Sequence, residues 1–131
     1  MIYPAKVELL DDVLGCIEEK LNDNQVPLAV TMSFLVAVEE IFVNVASYAY
    51  PNKDDGEVEI DFKIENGQAF ISFKDSGIAF NPLDKPDPDV NASAEERDIG
   101  GLGIYMVKKS MDGVEYNRED DKNILSFWKN Y

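Results

Sequence analysis

The sequence predicts an α+β fold, a two-layer α/β sandwich in which a mainly antiparallel sheet carries its helices on one face. Two patterns support this prediction. Segments with helical spacing and segments with strict alternation both occur along the chain. The alternating segments also come in neighbouring pairs joined by short turns, as in β-hairpins. The length of 131 residues fits one domain, so we expect residues 1–131 to form a single unit.

Two helices are predicted near the N-terminus. Residues 7–24 carry apolar side chains at helical spacing, with acidic side chains on the opposite face. Residues 27–51 form a second, longer segment bounded by prolines. Its apolar side chains continue almost all the way round the helix axis, so we expect this helix to be buried. Residues 2–3 leave room for a short extra strand before the first helix.

A β-hairpin is predicted in the middle of the chain. Residues 57–65 alternate strictly between polar and apolar side chains, and residues 68–74 form a second strand. The Glu-Asn-Gly-Gln sequence between them is typical of a tight hairpin turn. Residues 83–99 are polar, acidic and contain prolines, which predicts a long loop. Loops of this length in compact domains are usually functional lids or disordered segments.

The C-terminal part predicts a short helix and a closing hairpin. Residues 100–112 begin with glycines and continue as an apolar helix. Residues 113–119 and 123–130 alternate, and Asp120 and Asp121 occupy the turn between them. Since the strands pair locally as hairpins, the sheet is expected to be antiparallel.

Charge and composition exclude several classes of function. The net charge of −14 makes nucleic acid and anionic membrane surfaces poor partners. The chain has no histidine, and Cys16 is its only cysteine, which excludes Ser-His-Asp triads, internal disulfides and cysteine zinc sites. The N-terminus lacks a signal-peptide pattern. We see no apolar run approaching the roughly 20 residues of a membrane span, so we expect a cytoplasmic protein.

The long helix carries a stripe of small and polar side chains. At about 100° per residue, one narrow stripe contains Ser33, Ala37, Glu40, Asn44 and Ser47. Glu40 and Asn44 are four residues apart, so their side chains meet. An asparagine amide oxygen can ligate Mg²⁺, and a glutamate can orient or deprotonate a nucleophile. On the helix alone, a stripe facing solvent is the more ordinary interpretation. Glu39 projects into the apolar face, where we expect an ion pair or a position at the core rim.

Two glycine-containing motifs complete the candidate site. Asp75 ends a strand and is followed by Ser76 and Gly77, so its carboxylate could accept a hydrogen bond while glycine lets a ligand approach. Asp-x-Gly is also common in simple turns. The Gly-Gly-Leu-Gly sequence of residues 100–103 opens a helix, where backbone N–H groups can bind phosphate. It matches neither a Walker A loop nor a Rossmann fingerprint.

Together these motifs resemble the GHKL (Bergerat-fold) ATPase and kinase superfamily, and more narrowly its anti-sigma-factor serine/threonine kinase branch. Residues 38–51 resemble the N box, and residues 73–82 resemble the first glycine box. Residues 100–129 resemble the second glycine box and the two strands that follow it. The resemblance covers most of the chain, and the three boxes in this order are far more specific than any one of them.

The resemblance implies ATP and Mg²⁺ as cofactors and assigns a role to each motif residue. Asn44 would coordinate the Mg²⁺ that bridges the ATP phosphates, Glu40 would be the catalytic base, and Asp75 would hydrogen-bond the adenine amino group. Residues 83–99 would form the ATP lid. The other residues that the resemblance places at the nucleotide are Gly77, Phe80, Arg97, Gly101, Leu102 and Gly103. For Arg97, a phosphate contact and a solvated lid charge both remain open.

The implied function is a protein serine/threonine kinase that phosphorylates a small anti-anti-sigma-like (STAS-type) regulator. The resemblance leaves open a sigma factor as a second partner and a homodimer. Tyr48 stands where the family often has histidine, and tyrosine cannot do a histidine's acid–base work near neutral pH. This departure motivates an alternative, a non-catalytic ATP-binding regulator that switches partners. The catalytic half of a two-component histidine kinase is disfavoured, since the chain has no histidine to phosphorylate.

Overall fold

The computed structural model describes residues 1–84 and 99–131, with only the backbone described for residues 99–102. It confirms the predicted fold class: the five-stranded sheet is antiparallel throughout, in the order β1-β2-β3-β5-β4. The strands are β1 (Ile2–Pro4), β2 (Glu57–Glu65), β3 (Gln68–Asp75), β4 (Gly113–Glu119) and β5 (Lys122–Asn130). The helices are α1 (Leu10–Asp23), α2 (Leu28–Asn44) and α3 (Ile99–Ser110). Most of the predicted lid, including Arg97, lies outside the described residues.

Both predicted hairpins are present, and each has a two-residue turn. Asn66 and Gly67 connect β2 to β3 with φ values of 53° and 74°. Asp120 and Asp121 connect β4 to β5 with φ values of 53° and 61°. Two consecutive positive φ values suit the right-handed twist of the flanking strands. The turn sequences therefore fix the register of both strand pairs.

The alternation of each strand decides which side chains meet the helices. In β3, Ala69, Ile71 and Phe73 are buried. The same parity brings Asp75, two residues after Phe73, to the helix-covered face at the end of the strand. A carboxylate is thus placed at the boundary of the core by the strand pattern alone.

The core lies between this face of the sheet and the helices. Phe34 of α2 is fully buried, with its ring centroid 5.2 Å from that of Phe127 and 5.7 Å from that of Phe62. Val13 and Ile17 of α1 are buried in the same cluster. Burial of a large apolar side chain contributes about 1.5–3 kcal/mol, so these contacts hold α1 and α2 firmly against the sheet.

The prediction that the long helix is buried all round is wrong on one side. Leu28, Met32 and Val36 are exposed at 74%, 60% and 59%. The sheet, α1 and α3 cover the other sides of α2, whereas this side is open to solvent. By length and composition, the continuous span Leu28–Ala49 could cross a membrane, contrary to our expectation of no such run. The core helix of a protein passes the same test, and Phe34 of this helix is fully buried in the core.

The long helix also does not continue as a regular α-helix to residue 51. It changes at Val45–Ala49 into a π-helical turn. This turn removes Ser47 and Tyr48 from the spacing of about 100° per residue on which the predicted stripe was drawn. Both side chains are exposed. π-Helical turns are frequent at functional sites because they redirect side chains at the end of a helix.

Candidate functional site

A cleft opens where the C-terminal end of α2 meets the end of β3 and the start of β5. Its cavity volume is about 40 Å³, well below the roughly 300–1,000 Å³ of typical small-molecule sites, so the cleft is narrow. Most of its wall is apolar, formed by Ile41, Val45, Phe73, Ile78, Phe80, Pro82 and Leu125. Polar side chains also line it, among them Asn44, Asp75 and Asn123. An apolar cleft with a few converging polar groups is typical of a site for a small organic ligand.

Asp75 presents one free carboxylate oxygen. The residue is 6% exposed. Its Oδ1 accepts hydrogen bonds from the backbone N–H of Gly77, at 2.9 Å, and from Nδ2 of Asn123, at 3.0 Å. Its Oδ2 accepts no hydrogen bond from the described residues. Among those residues, every fully buried side-chain nitrogen or oxygen has a hydrogen-bond partner. Oδ2 is therefore not fully buried, and solvent reaches it. Oδ2 can therefore accept a hydrogen bond from a ligand.

Asn123 is a site residue that sequence reasoning missed. It lies directly across from Asp75 in the β3–β5 register and is 6% exposed. Its Nδ2 also donates to the carbonyl oxygen of Ile78 at 2.7 Å. Its Oδ1 accepts hydrogen bonds from Tyr116 Oη, Arg118 Nη1 and the Phe80 backbone N–H. A signal was available, because Asn123 shares the parity of the buried residues of β5.

Gly77 permits a close approach, but its observed neighbour is the end of the long helix. A Cβ at this position would lie 2.2 Å from the carbonyl oxygen of Ala49. The same oxygen accepts a hydrogen bond from the backbone N–H of Ile78 at 3.0 Å. Arg118 Nη1 donates to the carbonyl oxygen of Gly77 at 3.1 Å. The glycine therefore lets the Asp-x-Gly loop pack on the helix, and its contact with a ligand stays a prediction.

Glu40 and Asn44 are in contact, as their spacing predicts. Asn44 Nδ2 donates to Glu40 Oε1 at 3.4 Å. Asn44 lines the cleft, whereas Glu40 lines a separate groove between α2 and α3. The solvent-facing interpretation of the stripe is wrong at its centre, since Ala37 is only 1% exposed. The hydrogen-bonded pair of Glu40 and Asn44 therefore lies between the cleft and the groove.

The environment of Glu40 raises the pKa of its carboxyl group. Burial raises its pKa above the ordinary 4.5, the hydrogen bond from Asn44 lowers it, and the negative charge of Glu39 raises it. A raised pKa makes a carboxylate a better proton acceptor near neutral pH. Glu39 itself is exposed and has no ion pair within residues 1–84 and 99–131, so the predicted ion pair or core-rim position is not what the structure shows.

The start of α3 faces Glu40. A Cβ on Gly103 would lie 2.0 Å from Glu40 Oε1, so the carboxylate occupies the space that any other residue would need. The helix begins at Ile99, which places Gly101 and Leu102 in its first turn. Backbone N–H groups in a first turn have no acceptor within the helix and attract anions.

Two tyrosines lie near the cleft. Tyr48 lines it and is 58% exposed. The hydroxyl of Tyr50 donates to the carbonyl oxygen of Glu57 at 2.6 Å and accepts from the backbone N–H of Ser76 at 2.9 Å. Burial raises the pKa of Tyr50 above its ordinary value of 10.0. Tyr50 thus ties the Asp-x-Gly loop to the start of β2.

Comparisons with known proteins agree with these observations. A family model described as "Histidine kinase-like ATPase domain" matches residues 3–129. The chain is 26% identical over 94 residues to the serine-protein kinase RsbW of Listeria monocytogenes, which covers 69% of this chain and 60% of that protein. It is 28% identical over 86 residues to the anti-sigma F factor of Clostridium botulinum, which covers 66% of this chain and 60% of that protein. The matched region thus spans less than two thirds of either relative.

A solved structure shows the same fold. The blue-light activated histidine kinase of Erythrobacter litoralis EL346 aligns with a TM-score of 0.60 over 92% of this chain and 41% of that chain. The sequence identity in this alignment is 15%, so the likeness concerns the fold alone.

Proposed function

This chain belongs to the histidine kinase-like ATPase family, as its motifs predicted, and from that premise we propose that it is an ATP-dependent protein serine/threonine kinase of the anti-sigma-factor type. One observation carries the proposal. The cleft and the neighbouring groove beside α3 bring three functional groups close together. Asp75 offers a hydrogen-bond acceptor to a ligand, Asn44 offers an oxygen to a cation, and Glu40 offers a proton acceptor.

The chemistry of the cleft lining suits an adenine base. The free Oδ2 of Asp75 is an acceptor for the exocyclic amino group of adenine, and the apolar walls suit the faces of the ring. The first turn of α3 offers backbone N–H groups to phosphate. Phe80, which is 38% exposed, provides part of the apolar wall. We propose Gly77, Arg97, Gly101, Leu102 and Gly103 as further residues at the nucleotide.

Asn44 is the residue proposed to hold Mg²⁺. Its Nδ2 is engaged with Glu40, which leaves its amide oxygen for a hard cation. Within the part of the chain that the structure describes, no group of three Asp, Glu, His or Cys residues could hold a metal ion alone. Mg²⁺ commonly uses one or two protein oxygens together with substrate phosphates, so a single asparagine is adequate. When bound, ATP would supply the phosphoryl group and Mg²⁺ would neutralise part of its charge.

Glu40 is the proposed catalytic base, and the groove between α2 and α3 gives a protein substrate access to it. Val36 and Met106 line this groove and are 59% and 53% exposed. A serine or threonine hydroxyl that enters the groove could donate its proton to the Glu40 carboxylate. We therefore propose that the acceptor segment of the substrate lies in this groove.

The proposed substrate is a small regulator of the anti-anti-sigma (STAS) type. The names of the two curated relatives support this class of partner. A sigma factor as a second partner and a homodimer belong to the same proposal. The net charge of −14 does not favour direct binding of nucleic acid.

The test combines nucleotide binding with phosphotransfer. Isothermal titration should show that the purified protein binds Mg²⁺ and ATP, and a protein acceptor captured from native lysate should become labelled on serine or threonine by γ-³²P-ATP. Glu40→Gln should keep nucleotide binding and slow transfer by about 10²–10⁴-fold. Glu18→Gln, on the exposed face of α1, is the control and should transfer at the wild-type rate. Failure of the wild type to bind Mg²⁺ and ATP would refute the proposal.

Tyr48 favours a second candidate function, a non-catalytic partner-switching regulator. It lines the cleft at the position where the family often has a histidine. Such a regulator would bind nucleotide and report it to a partner without phosphorylating that partner. Nucleotide binding with no label on any bound partner, in wild type and Glu40→Gln alike, would favour this candidate over the kinase.

A further inference from the structure

Two buried polar side chains face each other at the inner end of the cleft. Asp75 of β3 and Asn123 of β5 are register partners, and each is 6% exposed. The next inward-facing pair along the same strands, Phe73 and Leu125, is apolar. A buried polar pair in an otherwise apolar layer must satisfy its own hydrogen bonds, and this pair does so within the described residues.

The side-chain amide of Asn123 cannot donate a hydrogen bond to a ligand. Both N–H bonds of its Nδ2 are used, one on Asp75 Oδ1 at 3.0 Å and one on the carbonyl oxygen of Ile78 at 2.7 Å. Its Oδ1 accepts from Arg118 Nη1 at 3.1 Å and from the Phe80 backbone N–H at 3.3 Å. Asn123 therefore acts on a bound ligand only through the groups that it holds.

Those groups are the acceptor and part of the wall of the cleft. Asp75 Oδ1 receives two donors, from Gly77 and Asn123, and rotation of the carboxylate would break both hydrogen bonds. Oδ2 is thereby kept as the only free oxygen. The same asparagine holds Ile78 and Phe80, which form part of the apolar wall.

We propose that Asn123 is a positioning residue for purine selection. It fixes the Asp75 carboxylate so that the free Oδ2, which can only accept a hydrogen bond, faces position 6 of the base. A 6-amino purine donates a hydrogen bond to this acceptor, whereas a 6-oxo purine presents its own acceptor and leaves a buried oxygen unpaired. Selection between the two then depends on Asn123. This inference rests on the proposed nucleotide-binding function and deepens it.

The experiment measures dissociation constants for ATP and ITP, each with Mg²⁺, because these nucleotides differ only in the base, most importantly at position 6. The wild type should prefer ATP by at least about 100-fold, as sites with a directed polar contact do. Asn123→Leu removes all hydrogen bonds at similar size and should reduce the preference to below about 10-fold, mainly by weakening ATP binding. Asn117→Leu, on an exposed position of β4, should keep the wild-type ratio.

A second variant keeps the test decisive if Asn123→Leu does not fold. Asn123→Asp has nearly the same shape but places a carboxylate oxygen against Asp75 Oδ1. Two carboxylates at this distance share a proton when the pH falls, and the shared proton restores the lost donor. The ATP-to-ITP preference of this variant should therefore increase between pH 8 and pH 5.5, relative to that of the wild type.

Three results would overturn the inference. In the first, a folded Asn123→Leu protein keeps the wild-type preference. In the second, ATP and ITP binding weaken equally, which would assign Asn123 to the shape of the cleft rather than to purine selection. In the third, the preference of Asn123→Asp does not change with pH. If the wild type binds neither nucleotide, the proposed function itself fails, and the inference falls with it.

Discussion

Replacement of Gly103 by alanine should separate catalysis from folding. Gly103 lies in α3 against the carboxylate of Glu40. An added Cβ would lie 2.0 Å from Oε1, 2.1 Å from Cδ and 2.4 Å from Oε2 of Glu40. All three atoms belong to the end of a flexible side chain and none belongs to the backbone. The alanine methyl group can therefore be accommodated if the carboxylate moves away.

The magnitude follows from the distances. Contacts of a Cβ below 3.0 Å are essentially never seen, so the carboxylate must move by about 1 Å. A displacement of this size at a catalytic group costs about 10²-fold in rate. Alanine gains about 1 kcal/mol over glycine in a helix interior, which offsets the rearrangement of the half-buried Glu40. We expect phosphotransfer to fall about 100-fold while the free energy of unfolding stays the same or rises by up to about 1 kcal/mol.

Three measurements on the same preparation check this prediction. Urea unfolding followed by circular dichroism gives the free energy of unfolding, titration calorimetry gives the affinity for ATP with Mg²⁺, and single-turnover transfer from labelled ATP gives the rate. Gly15→Ala is the matched control, because nothing lies within 4 Å of an added Cβ in α1. It should gain similar helix stability without any change in the rate of transfer.

Either of two outcomes would refute the reasoning. If Gly103→Ala transferred phosphate at the wild-type rate, the position of the Glu40 carboxylate against α3 would not matter for the reaction. If the variant lost more than about 2 kcal/mol of stability, the carboxylate would not be the mobile partner, and overpacking of the helix pair would explain the loss.

The remaining predictions concern stability and pH. Gly77→Ala should lower the free energy of unfolding in urea by about 1–3 kcal/mol, because its Cβ would lie 2.2 Å from a backbone carbonyl oxygen at the end of the long helix. An unchanged value would contradict the close packing of this loop. Tyr50→Phe should cost about 1–2 kcal/mol, because the hydroxyl bonds to both Glu57 and Ser76. Thermal unfolding checks it, and a melting temperature equal to that of the wild type would count against both bonds. Glu40 has a raised pKa, so its contribution to stability falls as the pH rises from about 4.5 through the raised value. The stability of Glu40→Gln relative to the wild type should therefore increase from pH 4 to pH 7 in urea titrations, and a constant difference would exclude the raised pKa.

Local patterns in the sequence determined the secondary structure and the main motifs. Strict alternation over residues 57–65 gave β2 with the bounds that the structure has, Glu57–Glu65. The Asn-Gly turn placed the first hairpin because its two residues adopt positive φ values easily. The contact of Glu40 with Asn44 followed from helix geometry alone. Each of these features depends on residues that are close in the chain, which explains why they could be predicted.

The exposed side of α2 could not be predicted in the same way. Periodicity shows that a helix is apolar, but it does not show which neighbours will cover each side. Only the packing of α1, α3 and the sheet left Leu28, Met32 and Val36 in solvent. The π-helical turn at Val45–Ala49 likewise has no local sequence signal that we recognise.

By itself, the sequence determined the fold class and the residue types available for chemistry, because alternation, helical spacing and glycine motifs are local properties of the chain. The tertiary structure decided which of those residues meet. Asp75 and Asn123 are 48 residues apart and are neighbours only because β5 pairs with β3. Gly103 and Glu40 meet only because α3 packs on α2. Strand order and helix packing depend on the free energy of the whole core, which no short segment of sequence contains.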